Sequence, residues 1–451
     1  YDPAPTLCLQ DELHLVNEDL GTFESHYYAA YEQHLEWAAE SQGFQYTEPK
    51  KIAATATIEE SDNQVKHLYG GKETTLFPAP GPEYRESAYT TTDEEKIQRH
   101  YVGVVPWNRS QINSIIRVLE MHQRRIQELL SDPAGHMSEF DFEELSEPEE
   151  FEKLLSHYYT LVTYVISKFE GGRVHKSAET QVNDNLTSDG YDRIERFEMQ
   201  GNTDADDMAD MLQKFEDVGE DGGTTHEDIH GLITATSSIS HGVDLDALGY
   251  MVFFNAPPRM SEYIQASSRV GRNHPGKVLD VFDPIGERDR SHYHYFHKYH
   301  EYMDRLVEPV AINRWAKFSV ERTFPGLFMS LLKIRYFDDL SAELGYFKNN
   351  APPRMARRAQ QAGVIDQDEI IEDLKAIYGE DWETGQCPFE DRIEELVQQS
   401  FNRIEEGAEE TISDCLIGRV MLSLRDVDEP IDIKPSWKHE DAFKAAGVNV
   451  R

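Results

Sequence analysis

The stretch Gly231–Asn273, GLITATSSISHGVDLDALGYMVFFNAPPRMSEYIQASSRVGRN, decides how the rest of the chain is read. Leu232 and Ile233 form a short apolar entry, small and hydroxyl residues run from Thr234 to Ser240, and Gly242-Val243-Asp244 follows. Tyr250 to Asn255 is an apolar run stopped by Pro257-Pro258, which predicts a buried strand. Gln265-Ala266-Ser267-Ser268-Arg269-Val270-Gly271-Arg272 then predicts a helix. The order strand, loop, strand, loop, helix suits the carboxyl edge of a parallel sheet, where open α/β folds bind ligands, and puts a nucleotide site there. Arg269 and Arg272, three apart on a helical turn, can aim two guanidinium forks at one place, as a phosphoryl group in transfer requires. Lysine would serve less well. Read alone, the pair fits solvated charge on an acidic surface about as well.

The amino end supplies matching chemistry. Thr6-Leu7-Cys8-Leu9 predicts a strand, and Gln10-Asp11-Glu12-Leu13-His14 follows at once. In such a pair of acids the first can hold Mg2+ through water, and the second can orient or deprotonate an attacking water. Asp11 is thus assigned to the metal and Glu12 to the base. The plainer alternative is a helix amino terminus, where acids meet the positive end of the dipole. Past a helix-friendly segment from Ser25 to Ser41 lies a small-residue strand, Ile52 to Ile58, which contains Thr55-Ala56-Thr57. A phosphate cradle of the form Gly-x4-Gly-Lys-Ser/Thr is not among the 451 residues: Gly70-Gly71-Lys72 runs into Glu73, and Gly171 to Ser177 has His175 where the second glycine belongs. The expectation is a chain that begins inside a longer first domain and by itself hydrolyses ATP poorly.

These residues resemble the motifs of superfamily 2 helicases of the DExH type. The resemblance implies that Asp11, Glu12 and His14 are motif II, with His14 coupling the nucleotide site to a motif III formed by Thr55, Ala56 and Thr57. It implies that Gly242 and Asp244 of motif V line the ribose and phosphate side of ATP, and that Gln265, Arg269 and Arg272 of motif VI reach the γ-phosphate across a cleft between two RecA-like domains. More narrowly, LQDELHL from Leu9, ATATI from Ala54, LFP from Leu76, SEYIQASSRVGR from Ser261 and RDRSHY from Arg288 are similar, in order, to the DrmA helicase subunits of DISARM anti-phage systems. That likeness implies a cytoplasmic ATP-driven DNA translocase with partner subunits including a methyltransferase, and with ATP and Mg2+ as cofactors.

Composition bounds the rest. Lys+Arg of 44 against Asp+Glu of 84 gives 44 − 84 = −40, spread along the chain, with 39% hydrophobic residues. An ordinary nucleic-acid binder is basic. Even acidity with a normal apolar fraction reads better as solubilisation in a halophilic setting, where molar salt shortens the Debye length to about 3 Å and DNA contact depends on local patches. Cys8, Cys387 and Cys415 lie far apart, so neither a zinc site nor a disulfide framework is indicated. No apolar run approaches the ~20 residues of a membrane span.

The fold class expected is α/β: two RecA-like parallel-sheet domains, the first incomplete, then a helical carboxyl-terminal region. The divisions fall at residues 1–85, 86–285 and 286–451; the Pro-rich Leu76 to Pro82 cannot continue a helix or central strand, and the crossing is placed near Phe77 to Gln98. Within the second part, Arg109 to Leu130 reads as an amphipathic helix, Asp132 to Glu152 as a mobile acidic loop, Leu161 to Ile166 as a buried strand in the place of motif IV, and Lys277 to Pro284 as a further strand. The run Arg288 to His300, RDRSHYHYFHKYH, reads as a packed aromatic helix that could abut a nucleic-acid track, with a metal site on His294 and His297 the less favoured option. Pro352 to Arg358 is a rare basic cluster, and Val420 to Asp428 reads as a last strand. Two other readings stay open from the sequence: a non-cycling nucleic-acid-binding or scaffolding module with the helicase fold, and RNA in place of DNA.

Overall fold

The computed structural model describes residues 5–55, 61–79, 81, 86–91, 93, 96–140, 147–199, 203–216, 218, 225–240, 247–334 and 360–406. Contacts divide the chain into two compact units, one drawn from Tyr1–Phe77 and Pro309–Arg451, the other from Pro78–Glu308. The sequence suggested three consecutive parts; instead residues 286–308 belong to the second unit, and the chain from Pro309 rejoins the first.

The first unit opens with β1 (Leu7–Gln10) and β2 (Lys50–Ala53), paired in parallel with Gln10 opposite Ala53. Between them runs α1 (Glu18–Ser41), and α2 (Ser61–Leu68) follows. These two strands are the only sheet of this unit among the described residues.

The second unit is a six-stranded, all-parallel sheet in the order β3-β8-β7-β4-β6-β5. Its strands are β3 (Arg99–Val104), β4 (Leu161–Val165), β5 (Arg196–Met199), β6 (Leu232–Ala235), β7 (Tyr250–Phe254) and β8 (Gly276–Val281). Its helices are α3 (Gln111–Ser131), α4 (Pro133–His136), α5 (Pro148–Tyr159), α6 (Lys168–Ser177), α7 (Asn183–Ser188), α8 (Ala205–Glu216), α9 (Met260–Ser267), α10 (Glu287–His294) and α11 (Phe296–Glu301). The central strands read as unbroken apolar runs because helices cover both faces, as buried parallel sheets require. Alternate residues feed two cores: Val162, Tyr164, Met251, Phe253 and Val278 pack with Phe151 of α5, Phe215 of α8 and Tyr263 of α9, whereas Leu161, Val165, Val252, Phe254 and Leu279 pack with Ile115 of α3 and Val174 of α6.

Ser110 caps α3, its hydroxyl accepting from the Asn113 N–H at 3.4 Å. The expected acidic loop is in good part helical. Glu147 and Glu150 close a capping box and Pro148 sits at the first helical position, so α5 starts four residues before the expected end of the loop at Glu152. Residues 141–146, inside that loop, lie outside the described residues, as do the basic cluster at 352–358 and the strand expected at 420–428.

Back in the first unit, α12 (Ser319–Ile334), α13 (Gln367–Tyr378) and α14 (Glu390–Glu406) pack with α1 around Phe324, Phe328, Leu374, Tyr378, Leu396 and Phe401. Gly326 lets α12 approach α1 closely, since a Cβ there would sit 2.4 Å from the Tyr27 hydroxyl. Arg314 is buried and donates from Nε to the Tyr378 carbonyl at 3.0 Å and from Nη2 to the carbonyls of Ile377 at 2.8 Å and Ser25 at 3.2 Å. The returning chain is therefore fixed to both α1 and α13, which is why the carboxyl-terminal helices belong to this unit. No helix among the described residues is long and apolar enough to cross a membrane.

Candidate functional site

In the first unit the parallel register brings the exits of β1 and β2 to one edge. Ala54 N–H donates to the Gln10 carbonyl at 2.8 Å and Leu13 N–H to the Ala54 carbonyl at 2.9 Å. Glu12 is left-handed, at φ 50° and ψ 47°, a conformation that non-glycine residues seldom adopt and that costs on the order of 1 kcal/mol or more. That bend turns the chain into a short 3-10 helix, Leu13–Leu15. Asp11 is exposed, and its Oδ1 accepts the Glu12 N–H at 2.8 Å. His14 is buried, with Nδ1 3.3 Å from Glu12 Oε2 and 3.4 Å from Thr55 Oγ1. Glu12, His14 and Thr55, forty-three residues apart at the extremes, are thus brought together around one imidazole. Ala56 and Thr57 lie outside the described residues.

In the second unit α9 starts past the carboxyl end of β7, where both carboxylate oxygens of Glu308 accept the Met260 N–H, at 3.0 and 2.8 Å. Gln265 is buried on this helix, and its Nε2 has no hydrogen-bond partner among the described residues. Such an orphaned donor is costly unless an acceptor reaches it. The helix ends at Ser267, so Arg269 and Arg272 lie on the turn beyond it rather than on a helical face. Gly271 has φ +77°; a Cβ there would meet the Gln98 carbonyl oxygen at 2.6 Å and Gly276 N at 2.8 Å. The Gly271 N–H donates to the Leu248 carbonyl, just ahead of β7.

This turn corrects the placement expected from sequence. The arginines lie beside the amino ends of β3, β7 and β8, not at the carboxyl edge of the sheet. The reason is topological: β7 and β8 are parallel neighbours, so the chain must return to the end where it began before β8 can start, and α9, about 12 Å long, makes that return. Gly242 and Asp244 lie outside the described residues.

Arg272 is exposed and Arg269 half-buried. Partial burial, and then the charge of Arg99, lower the pKa of the Arg272 guanidinium from its ordinary value. Arg99 donates from Nε to the Val270 carbonyl at 2.7 Å and from Nη2 to the Ser268 carbonyl at 3.2 Å. Behind α9, the Tyr263 hydroxyl donates to Asp280 Oδ2 at 2.8 Å and lies 2.9 Å from His300 Nε2. Burial drives the Asp280 carboxyl up to about 7, against the lowering effect of the Tyr263 bond and with a further upward push from Asp289. Among the described residues no cluster of three or more His, Cys, Asp or Glu side chains could enclose a metal ion.

The helicase conserved C-terminal domain matches residues 162–274. Over 345 residues the chain is 31% identical to the DISARM protein DrmA of Bacillus paralicheniformis, which covers 74% of this chain and 28% of that protein. The chain carries a helicase conserved C-terminal domain and is similar to DrmA. It thus spans about 28% of the length of this curated relative. Among solved structures it is similar to the DUF1998 helicase MrfA bound to DNA, with a TM-score of 0.46, 14% identity and coverage of 72% of this chain and 35% of that one. It is also similar to Mycobacterium smegmatis Lhr bound to ssDNA and AMP-PNP, with a TM-score of 0.43, 13% identity and coverage of 98% and 47%.

Sequence reading of this helicase-like chain missed three contributors. Arg99 looks like an ordinary strand-start cation, and only the structure shows it holding the turn that bears the arginines. Gln64, fully buried in α2, donates to the carbonyls of Leu13 and Val16, both at 2.8 Å, and so braces the Asp11–His14 turn; its position in a short polar helix gives no hint of this. Asp280 interrupts the apolar KVLDVF run, and a carboxylate inside a buried strand is a signal that could have been followed.

Proposed function

We propose that this chain is part of an ATP-driven DNA helicase or translocase acting in the cytoplasm within a DISARM-like anti-phage complex, with a methyltransferase among its partner subunits. The observation that carries the reading is the contact of Glu12 and Thr55 through His14, beside an exposed Asp11 at the carboxyl edge of two parallel strands.

One accessible carboxylate fits a magnesium ion that keeps several waters and takes its other ligands from phosphates, so Asp11 would hold it. When bound with ATP, that ion supplies charge that offsets the phosphate oxygens. Glu12 orients the attacking water and accepts its proton. Arg269 and Arg272 stabilise the charge developing on the phosphoryl group, and the unsatisfied Gln265 amide donates to an oxygen of the same group. Gly242 and Asp244 serve the ribose and phosphate side. His14 passes the state of Glu12 to Thr55, and with it to Ala56 and Thr57.

A second reading is a nucleic-acid-binding or scaffolding module that does not cycle; an intact protein lacking a Gly-x4-Gly-Lys-Ser/Thr loop would favour it. DNA-stimulated phosphate release by the intact protein separates the two. The motor reading expects turnover that Glu12→Gln abolishes while ATP still binds; no turnover with any DNA favours the module.

A further inference from the structure

The run from Arg288 to His300 is only partly explained by packing. His292 stacks on Tyr299 at 4.1 Å and the His300 and Phe296 rings lie 4.1 Å apart, so these side chains face inward. Tyr293 and Tyr295 do not follow them: they are 47% and 55% exposed. Trp107, on the loop after β3, is 83% exposed. The register Val104↔Val281 pairs the last residues of β3 and β8, so the two following loops leave the same carboxyl edge side by side. They enclose an open groove of about 650 Å3 lined by Trp107, Tyr293, Tyr295, Arg290, His294 and Glu287, among others.

We propose that this groove is a stacking site for the bases of single-stranded nucleic acid, with Trp107 and Tyr295 as the platform and Arg290 as the phosphate contact. Tyr293 packs edge-on against Phe282 at 6.1 Å, but Trp107 and Tyr295 leave most of their surface in water, which is unfavourable unless something covers them. A base offers a flat face to each ring whatever its identity, which suits a track that must be sequence-tolerant. In a duplex those faces are already stacked. The charge balance agrees: on a chain of net charge −40, the groove sets one guanidinium against one carboxylate, so phosphate meets little local repulsion. A folded protein partner would find an open cleft with charged and polar residues among its rings. The inference rests on the nucleic-acid part of the proposed function and not on its ATP part.

The test is anisotropy titration of the intact protein with labelled oligo-dT, oligo-rU and a blunt duplex, for wild type, Trp107→Ala, Trp107→Phe and Tyr295→Ala. Because Trp107 projects into solvent, neither substitution at it leaves a cavity, and the phenylalanine keeps a stacking face. The expected result is single-strand affinity weaker by roughly tenfold or more in Trp107→Ala and Tyr295→Ala. It should be largely restored in Trp107→Phe, with duplex affinity and DNA-free ATP turnover unchanged. A loss confined to oligo-dT or to oligo-rU supports the site and names its sugar. Unchanged affinity for both overturns it, whether or not a partner subunit is lost from the variants, and leaves the ATP assignments standing. Wild-type protein that binds no single strand, yet hydrolyses ATP in response to duplex, also overturns it.

Discussion

Arg99 carries the clearest consequence at the scale of single residues. Its guanidinium holds the carbonyls of Ser268 and Val270 and so fixes the turn from which Arg269 and Arg272 project. Arg99→Ala should lower kcat for ATP by about tenfold or more with little change in KM, because a loosened turn misplaces groups that act on the transition state more than on bound substrate. Arg99→Lys, which can reach only one carbonyl at a time, should fall between; steady-state kinetics on the intact protein check this, and equal effects on KM and kcat would count against it. Asp280 gives a pH signature. Its folded pKa of about 7 lies above the ordinary carboxylate value, so its contribution is present at low pH and lost as pH rises through 7, when a charge must form beside Tyr263 and near Asp289 and His300. Asp280→Asn should therefore gain stability relative to wild type between pH 5 and 8, on the order of 2–4 kcal/mol, read as a widening gap between the two melting curves. The candidate acids and arginines stand out in the sequence by residue type and order. Arg99 and Gln64 do not, since each acts through backbone carbonyls that have no sequence signature.

For the elements, what the chain announces is apolar period. Leu161–Val165 and Tyr250–Phe254 stand out as strands because both faces are covered, and α3 is marked by its apolar spacing and its Ser110 cap. The end of the sheet at which a motif lies is not carried by period. It follows from the crossover between β7 and β8, which brings the arginine turn back to the amino ends of the strands. The acidic loop was misread for a related reason: charge density suggested mobility, while Glu147, Pro148 and Glu150 together form a helix start. Gly271 is the point on which the arginine turn depends. Gly271→Ala should destabilise the second unit by about 1–3 kcal/mol, since it adds strain at positive φ to a clash with backbone that cannot move aside, and differential scanning of the variant would show a lowered transition.

The chain leaves the first unit at Phe77 and returns to it at Pro309, an arrangement that consecutive reading of the sequence could not supply because it depends on which apolar faces find each other. Arg314 and the α1–α12–α13–α14 core hold that return. Arg314→Ala should cost the first unit on the order of 3 kcal/mol or more by leaving buried carbonyls of Ser25, Ile377 and Tyr378 without a donor, seen as a loss of stability in urea. The central proposal is that Asp11, Glu12, Arg269 and Arg272 serve one ATP hydrolysis cycle in the intact protein. Single-turnover ATP hydrolysis by the intact protein carrying Arg272→Ala tests it most directly. The account predicts a rate lower by about a thousandfold or more with DNA binding retained; a near-normal rate would contradict it.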